Sequence, residues 1–440
     1  MAKKKKRLIR CPIYGSIGFA EEEMALIGSP FLQRLRSVSQ LGFASLVFPG
    51  ATHTRFSHSL GACHLAGLVF DQLLLGEHHD LADYYTPDEL AYFKRLLRLS
   101  ALMHDVGHPP FSHAAESVLP DTDKLPLPSF LKPEKTRIAT HEDFTFAIIW
   151  EIAQSEGIIS LEEAEDIIAI LSKNATPSSR LNAKDGEPLI YPLLCQLISG
   201  EVDVDRMDYL LRDAYFAGVP YGNYDYQRLI GSFATTLEKT TNRFLLTIKS
   251  EDIPTYENFL LSRMHMFYQI YFHKTLGAFT HYITQVFVQK EVDIKIDGTL
   301  ENYLATTENG LKDEINRAKD KTWAKRIAMR IPAKTLMRVT AGDAKRLNKM
   351  KEVEGQLKAA GIDFFGVHSF NQYSSQVKGE PIDESTLLVL EQELGKSIVV
   401  PLAERSKLLQ EHEQRIEVHQ LYVHREDYRK SLEILGVPYE

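Results

Sequence analysis

Tyr92-Phe-Lys-Arg-Leu-Leu-Arg-Leu-Ser-Ala-Leu-Met-His-Asp-Val-Gly-His-Pro-Pro110 reads as an apolar helix that stops on a polar pair. Leu96, Leu97, Leu99, Ala101, Leu102 and Met103 cover most of the helix circumference, which suits a central helix rather than a surface one. His104 and Asp105 fall at its end, where Gly107, Pro109 and Pro110 stop the helix. A charge carried to the edge of a core is costly unless compensated. A divalent metal is a compensation that a histidine and a carboxylate can both bind.

Other segments supply partners for that pair. Upstream, Leu60, Cys63, Leu65, Leu68, Val69, Leu73 and Leu74 recur at helical spacing after Arg55-Phe-Ser-His58, so His58 sits at a helix start. Downstream, Pro120, Pro126, Pro128 and Pro133 mark an irregular connection to Thr140-His-Glu-Asp143. Thr140 can cap a helix running through Trp150, which places His141 in a first turn. Ser160-Leu-Glu-Glu163 is a capping box for a helix to about Lys173, followed by a loop over 174–192 and a helix over about 192–199. Residues 203–215 read as helical and carry Asp203-Val-Asp205-Arg206, and 215–226 read as an aromatic, glycine-rich loop.

The pattern then changes. Residues 244–249 are the first convincing strand candidate, and from Pro254 one long helix is predicted through about Val288, carrying Arg263, Tyr271, His273 and Lys274. Short strands mixed with helices are predicted at 327–339, 364–367, 397–402 and 420–424. The fold class expected is mainly α, with a helical core over 1–290 and a smaller α+β region over 291–440 serving oligomerisation or regulation.

Composition limits the function. The chain has 440 residues, 44% of them hydrophobic, enough for two or three domains at about 100–200 residues each. No apolar run reaches the roughly 18–20 residues that a membrane helix needs, and the Lys3–Arg7 start leads into no signal-peptide core, so a cytoplasmic protein with no membrane partner is expected. Cys11, Cys63 and Cys195 are far apart, which argues against a disulfide scaffold or a thiolate zinc site and leaves any metal to His, Asp or Glu. The net charge of −8 hides a basic stretch, 317–358, with thirteen Lys or Arg against four acids; it offers a face for phosphates, an acidic neighbour or nucleic acid.

His53, His58, His104, His108, His113 and His141 are six of the sixteen histidines, gathered within 53–141. His58, His104, Asp105 and Asp205 suit a divalent metal that keeps open positions for water and a phosphate oxygen. Mn, Fe, Mg, Ni and Zn all tolerate such ligands. His108 or His113 can protonate a leaving oxygen, and Glu116 can hydrogen-bond His141 and fix its tautomer.

Several blocks in order carry a family resemblance: Pro30-Phe-Leu-Gln-Arg-Leu-Arg36, Gln40-Leu-Gly42, Phe48-Pro-Gly-Ala-Thr-His53, Thr54-Arg-Phe-Ser-His-Ser-Leu-Gly61, His104-Asp-Val-Gly-His-Pro-Pro-Phe-Ser-His113 and Asp203-Val-Asp-Arg-Met-Asp-Tyr209. Over about 7–285 the chain resembles the HD-domain deoxynucleoside triphosphate triphosphohydrolases. The resemblance implies metal ligands His58, His104, Asp105 and Asp205, with a second Mg on the triphosphate. It implies phosphate contacts from Arg55, Arg206, Tyr209 and Arg263, and a catalytic set of His108, His113, Glu116 and His141. It implies that Gln40 and Asp213 hold the sugar 3′-hydroxyl, while Tyr271 crowds the 2′ position. The implied reaction is water attack at the α-phosphorus of a dNTP, releasing deoxynucleoside and inorganic triphosphate, in a homotetramer or other homo-oligomer.

The resemblance also implies a nucleotide-activator site. Gln33, Arg36, Arg228 and Lys249 match its residues, whereas Gly28 stands where the family's guanine-reading acid lies, and Glu251 and Thr255 replace basic residues. Two rival readings use the same residues differently. One is an HD-type phosphohydrolase of nucleoside monophosphates, cyclic nucleotides or single-stranded nucleic acid, which would not need Arg55, Arg206, Arg263 and Tyr271 together. The other is a noncatalytic nucleotide or nucleic-acid-binding module built on 317–358.

Overall fold

The structure, a computed structural model, describes residues 7–438 apart from 76–80, 173–174, 183–186, 341, 377, 380–381, 384, 395 and 412–414; the side chains of His113 and Ser117 also lie outside the description. Lys3 to Lys6 of the basic start, and the expected helix end at Lys173, fall outside the described residues.

The fold is mainly helical, with a helical core and small sheets concentrated toward the C-terminal region. Helix α1 (Arg55–Leu75) packs against α2 (Pro87–Met103). Thr86 caps α2, accepting from the Glu89 amide while the Glu89 carboxylate accepts from the Thr86 amide, with Pro87 in the first turn. Ten residues of α2 are buried, including the whole run Leu99–Met103, so the helix is the central one its sequence predicts. Truncating any buried leucine there to alanine costs about 2–5 kcal/mol.

Around this pair stand α3 (His141–Glu151), α4 (Leu161–Leu171), α5 (Tyr191–Ser199) and α6 (Val204–Ala217), the last packed on α1. Thr140, Ser160 and Asp203 each cap the following helix through a side-chain oxygen. The helix from Asp203 runs two residues past the expected end and is closed by Gly218, at φ +71°.

The long helix expected over 254–288 is two helices. α7 (Ile253–Met266) passes into a wide turn at Phe267–Tyr271, and His273 is extended before α8 (Lys274–Val288), capping it by accepting from the Thr275 amide at 3.2 Å. Apolar residues continue through the break because both halves face buried core, so periodicity gave no sign of it. The strand expected over 327–339 begins instead as helix α9 (Thr322–Ala328); Arg330, at φ +52°, and Pro332 turn the chain before the strand starts at Lys334.

Three sheets are present among the described residues. Strands β1 (Arg7–Cys11) and β2 (Gly15–Phe19) form an N-terminal hairpin. β3 (Phe233–Glu238) and β4 (Arg243–Lys249) are antiparallel, and β4 also pairs, in parallel, with β7 (Leu388–Glu393), which pairs with β8 (Lys396–Pro401). β9 (Arg415–Val423) lies between β5 (Lys334–Thr340) and β6 (Phe364–Gln372), with α10 (Ala344–Ala359) on one face. Residues on both sides of position 290 thus share one sheet, and Tyr373, Val389 and Val418 join the main apolar core. No helix among the described residues is long and apolar enough to cross a membrane.

Candidate active site

The first turn of α1, the end of α2 and the first turn of α6 converge. His58 Nε2 lies 3.2 Å from His104 Nε2 and 2.9 Å from Asp205 Oδ1, and His104 Nε2 lies 3.5 Å from the same oxygen. The other ring nitrogens are tied down. His104 Nδ1 donates to the Ala101 carbonyl at 2.8 Å, and His58 Nδ1 donates to Asp208 Oδ2 at 2.8 Å. A carbonyl can only accept, so the neutral His104 ring must carry its proton on Nδ1 and direct the Nε2 lone pair at the shared point. The two Nε2 atoms face each other across 3.2 Å beside a carboxylate, a contact that a proton or a metal cation must bridge. The donor set therefore fits a divalent metal.

The electrostatics point the same way. Burial pulls the His58 imidazole down, but hydrogen bonds to Asp205 and Asp208 more than reverse it and raise it to about 10. Burial pushes the Asp205 carboxyl up, and the two histidines hold it far below the ordinary range. Both shifts draw positive charge onto the ring nitrogens of the centre, charge that protons supply in the metal-free chain and that a bound cation would replace.

Asp105 stands beside the three donors. Its Oδ2 accepts from Arg55 Nη1 at 2.5 Å and lies 3.8 Å from His58 Nε2; its Oδ1 is 3.5 Å from His104 Nε2 and 3.2 Å from His108 Nε2. The His108 ring stacks on that of His141, with centroids 4.0 Å apart, and Glu116 Oε1 accepts from His141 Nδ1 at 2.6 Å. Burial and the charge on Arg55 push His108 well below its ordinary value, so the ring is neutral and readily gives up any proton it receives. The turn carrying these groups packs tightly: a Cβ at Gly107 would lie 2.2 Å from the His141 carbonyl oxygen.

These side chains border a cleft of about 330 Å³, whose lining includes Gln40, Arg55, His104, Asp105, His108, His141, Asp205 and Tyr209. A volume near 300 Å³ or above is typical of small-molecule sites. A larger cleft of about 1560 Å³ adjoins it, sharing Glu142, Phe146, Leu171 and Ser199.

Residues 55–213, from the first residue of α1 to Asp213 on α6, match the HD domain model. The chain carries an HD domain. It is 31% identical over 320 residues to the uncharacterized protein MJ1154 of Methanocaldococcus jannaschii, covering 71% of this chain and 58% of that one. It is 30% identical over 306 residues to the human deoxynucleoside triphosphate triphosphohydrolase SAMHD1, covering 66% of this chain and 46% of the human one. The chain spans about half the length of the curated relatives it matches. A solved structure of a hypothetical protein from Aquifex aeolicus superposes with a TM-score of 0.73 at 27% identity, over 98% of this chain and 100% of that one.

Outside the HD centre the sequence-predicted residues separate into groups. Tyr271 donates from its hydroxyl to Asp213 Oδ2 at 2.7 Å, and Asp213 Oδ1 lies 2.7 Å from His53 Nε2. Arg206 and Arg263 flank Tyr209, but their described bonds go to protein: Arg206 to the Gly200 carbonyl, Arg263 to the Tyr373 carbonyl at 2.7 Å and to Asn371 Oδ1 at 3.2 Å. Gln33 donates to the Ile27 carbonyl, and Arg36 donates to Gln33 and lies over the Phe56 ring. Arg228 pairs with Asp252, and Lys249 ends β4. His113 lies in a 3-10 helix, Ser112–Val118, but its side chain is outside the description.

Sequence reasoning gave Asp208, Arg212 and His53 no roles. Asp208 is fully buried between His58 and Arg212, whose Nε and Nη2 each donate to it at 2.8 Å. Gly61 makes room for this pair: a Cβ there would lie 1.9 Å from Asp208 Oδ1. The signal was present, since Asp205, Asp208 and Arg212 follow at i, i+3 and i+7 on one helical face.

Proposed function

We propose that the chain is a metal-dependent phosphohydrolase that cleaves deoxynucleoside triphosphates to deoxynucleoside and inorganic triphosphate. The carrying observation is the convergence on one cleft of a His58–His104–Asp205 donor set with Arg55, His108, His141 and Gln40. Its broad class, phosphate-ester hydrolysis by an HD domain, is supported by the match over 55–213, and its substrate by similarity to a protein named as a dNTP triphosphohydrolase.

His58, His104, Asp205 and the adjacent Asp105 would hold the cation, which supplies Lewis-acid activation of water and offsets phosphate charge when bound. Arg55, anchored by Asp105 and by Ser112 at 2.9 Å, presents a fixed positive charge to phosphate oxygens as negative charge gathers on the departing triphosphate. His108 and His141, stacked and backed by Glu116, handle protons at the attacking water and the 5′-oxygen. His113 belongs to the same proposed acid–base set.

The sugar reading is supported by Gln40, whose Oε1 is buried without a hydrogen-bond donor. A 3′-hydroxyl donates where that acceptor waits. Asp213, fixed by His53 and Tyr271, supplies a second acceptor, and the Tyr271 ring would crowd a 2′-hydroxyl. Activation by a nucleotide at Gln33, Arg36, Arg228 and Lys249, homo-oligomer assembly, and nucleic-acid contact through 317–358 belong to the same proposal; exposed Arg36 and Arg228 support the first.

The test incubates the protein with Mn²⁺ or Mg²⁺ and each dNTP, singly and mixed, and separates the products. Triphosphate plus deoxynucleoside is expected. Pyrophosphate or single phosphate overturns the reaction assigned, and activity confined to mixtures reveals the activator site.

A further inference from the structure

A second set of metal donors lies on the β5–β9–β6 sheet, on elements separate from the HD centre. His368 on β6 and His419 on β9 are directly opposite in the antiparallel register, so their side chains share a face. Glu417, two residues before His419, shares that face as well. The two imidazoles stack with centroids 4.3 Å apart and planes within 8°. Their Nε2 atoms converge on one oxygen: Glu417 Oε1 lies 2.7 Å from that of His368 and 2.8 Å from that of His419.

We propose that His368, Glu417 and His419 form a transition-metal site that clips β6 to β9. The three donors, one oxygen and two imidazole nitrogens, all lie within 4.8 Å of one another, so a single ion can reach them together. Two imidazoles and a carboxylate select Zn²⁺, Ni²⁺, Co²⁺ or Cu²⁺ over Mg²⁺ or Ca²⁺, which prefer an all-oxygen shell. Three protein donors leave a fourth position for water. The ladder holds both strands in register, so binding requires little reorganisation.

The site is reachable from solvent. The His368 side chain is 53% exposed and that of His419 26%. On the other side of His419 in the register is Val339, fully buried under α10, so the donors sit where the sheet face emerges from beneath that helix. Beyond His368 the same strand leads to Asn371 and Tyr373, the acceptors that fix Arg263.

The test is equilibrium dialysis of the full chain, stripped with chelator, against Zn²⁺ or Co²⁺, counting ions per chain. The wild type is expected to bind two ions, and His368→Ala/His419→Ala to bind one, with unchanged thermal melting when metal-free. Removing even an outer partner of a metal ligand costs about 10–100-fold in affinity, so losing one direct ligand in His419→Ala should weaken the second ion by at least about tenfold. Glu417→Gln should weaken it as well. One ion per wild-type chain that the sheet substitutions leave bound, or two ions bound with unchanged affinity by the double variant, overturns the proposal. A His104→Ala chain that still binds one ion, released on adding the sheet substitutions, distinguishes this site from the HD centre.

Discussion

Replacing Asp208 with asparagine separates the support of the metal centre from the centre itself. Asp208 is fully buried and accepts three hydrogen bonds at 2.8 Å, one from His58 Nδ1 and two from Arg212. Asparagine keeps the shape and removes the charge. Arg212 is itself fully buried and its Nη1 has no partner, so the variant leaves an uncompensated cation in the core. Breaking a buried pair in this way costs about 3–5 kcal/mol. His58 meanwhile loses the carboxylate that fixes its tautomer and raises the basicity of Nε2, a change that lowers metal affinity by about 10–100-fold. The two effects part in a companion variant. Asp208→Asn/Arg212→Met removes the orphan charge and should recover most of the stability, because apolar replacement of a buried pair is often neutral. It should not recover metal affinity. Urea unfolding of the metal-free chain and a chelator-competition titration measure the two quantities. A folded Asp208→Asn chain with wild-type metal affinity would refute the reasoning.

Gly61→Ala should reproduce part of this phenotype from the opposite helix. The new Cβ would fall 1.9 Å from Asp208 Oδ1 and 2.3 Å from Arg212 Nη2, so weaker metal binding and a lower melting temperature are expected; an unchanged chain on both counts contradicts the packing described. Tyr271→Ala should relax discrimination against ribonucleotides in a competition assay of dATP against ATP, and an unchanged ratio removes Tyr271 from the sugar gate. Acidification should destabilise the protein through His281. Burial, followed by the nearby His424, lowers His281 from 6.5 to about 4, so its contribution is complete above pH 6.5, falls as the pH drops and is lost below pH 4. The ring is partly exposed, so after solvent screening the effect is on the order of 1 kcal/mol. His281→Phe, which keeps the stack on Phe365, should flatten the melting curve across that window relative to wild type; parallel curves would contradict the assignment.

The sequence revealed local features best. The apolar run ending in His104-Asp105 is a buried helix ending at a cluster of ionisable groups, and Thr140, Ser160 and Asp203 cap helices because capping depends on residues three apart. Pairings across long separations were hidden. β7 is held by a parallel partner more than a hundred residues earlier, and β1, β2 and β3 carry little alternation of their own. The break at Phe272–His273 escaped because burial continues on both sides. In the site, the charged groups at element ends were visible. Asp208 was passed over because its role depends on meeting His58 and Arg212 in the interior, a contact 150 residues apart in one case.

Hydrolysis of dATP in ¹⁸O-enriched water, followed by mass spectrometry of both products, tests the central claim most directly. Attack of water at the α-phosphorus breaks its bond to the 5′-oxygen, so one labelled oxygen should enter the inorganic triphosphate and none should enter deoxyadenosine. Release of phosphate or pyrophosphate, or label in the nucleoside, would contradict the account.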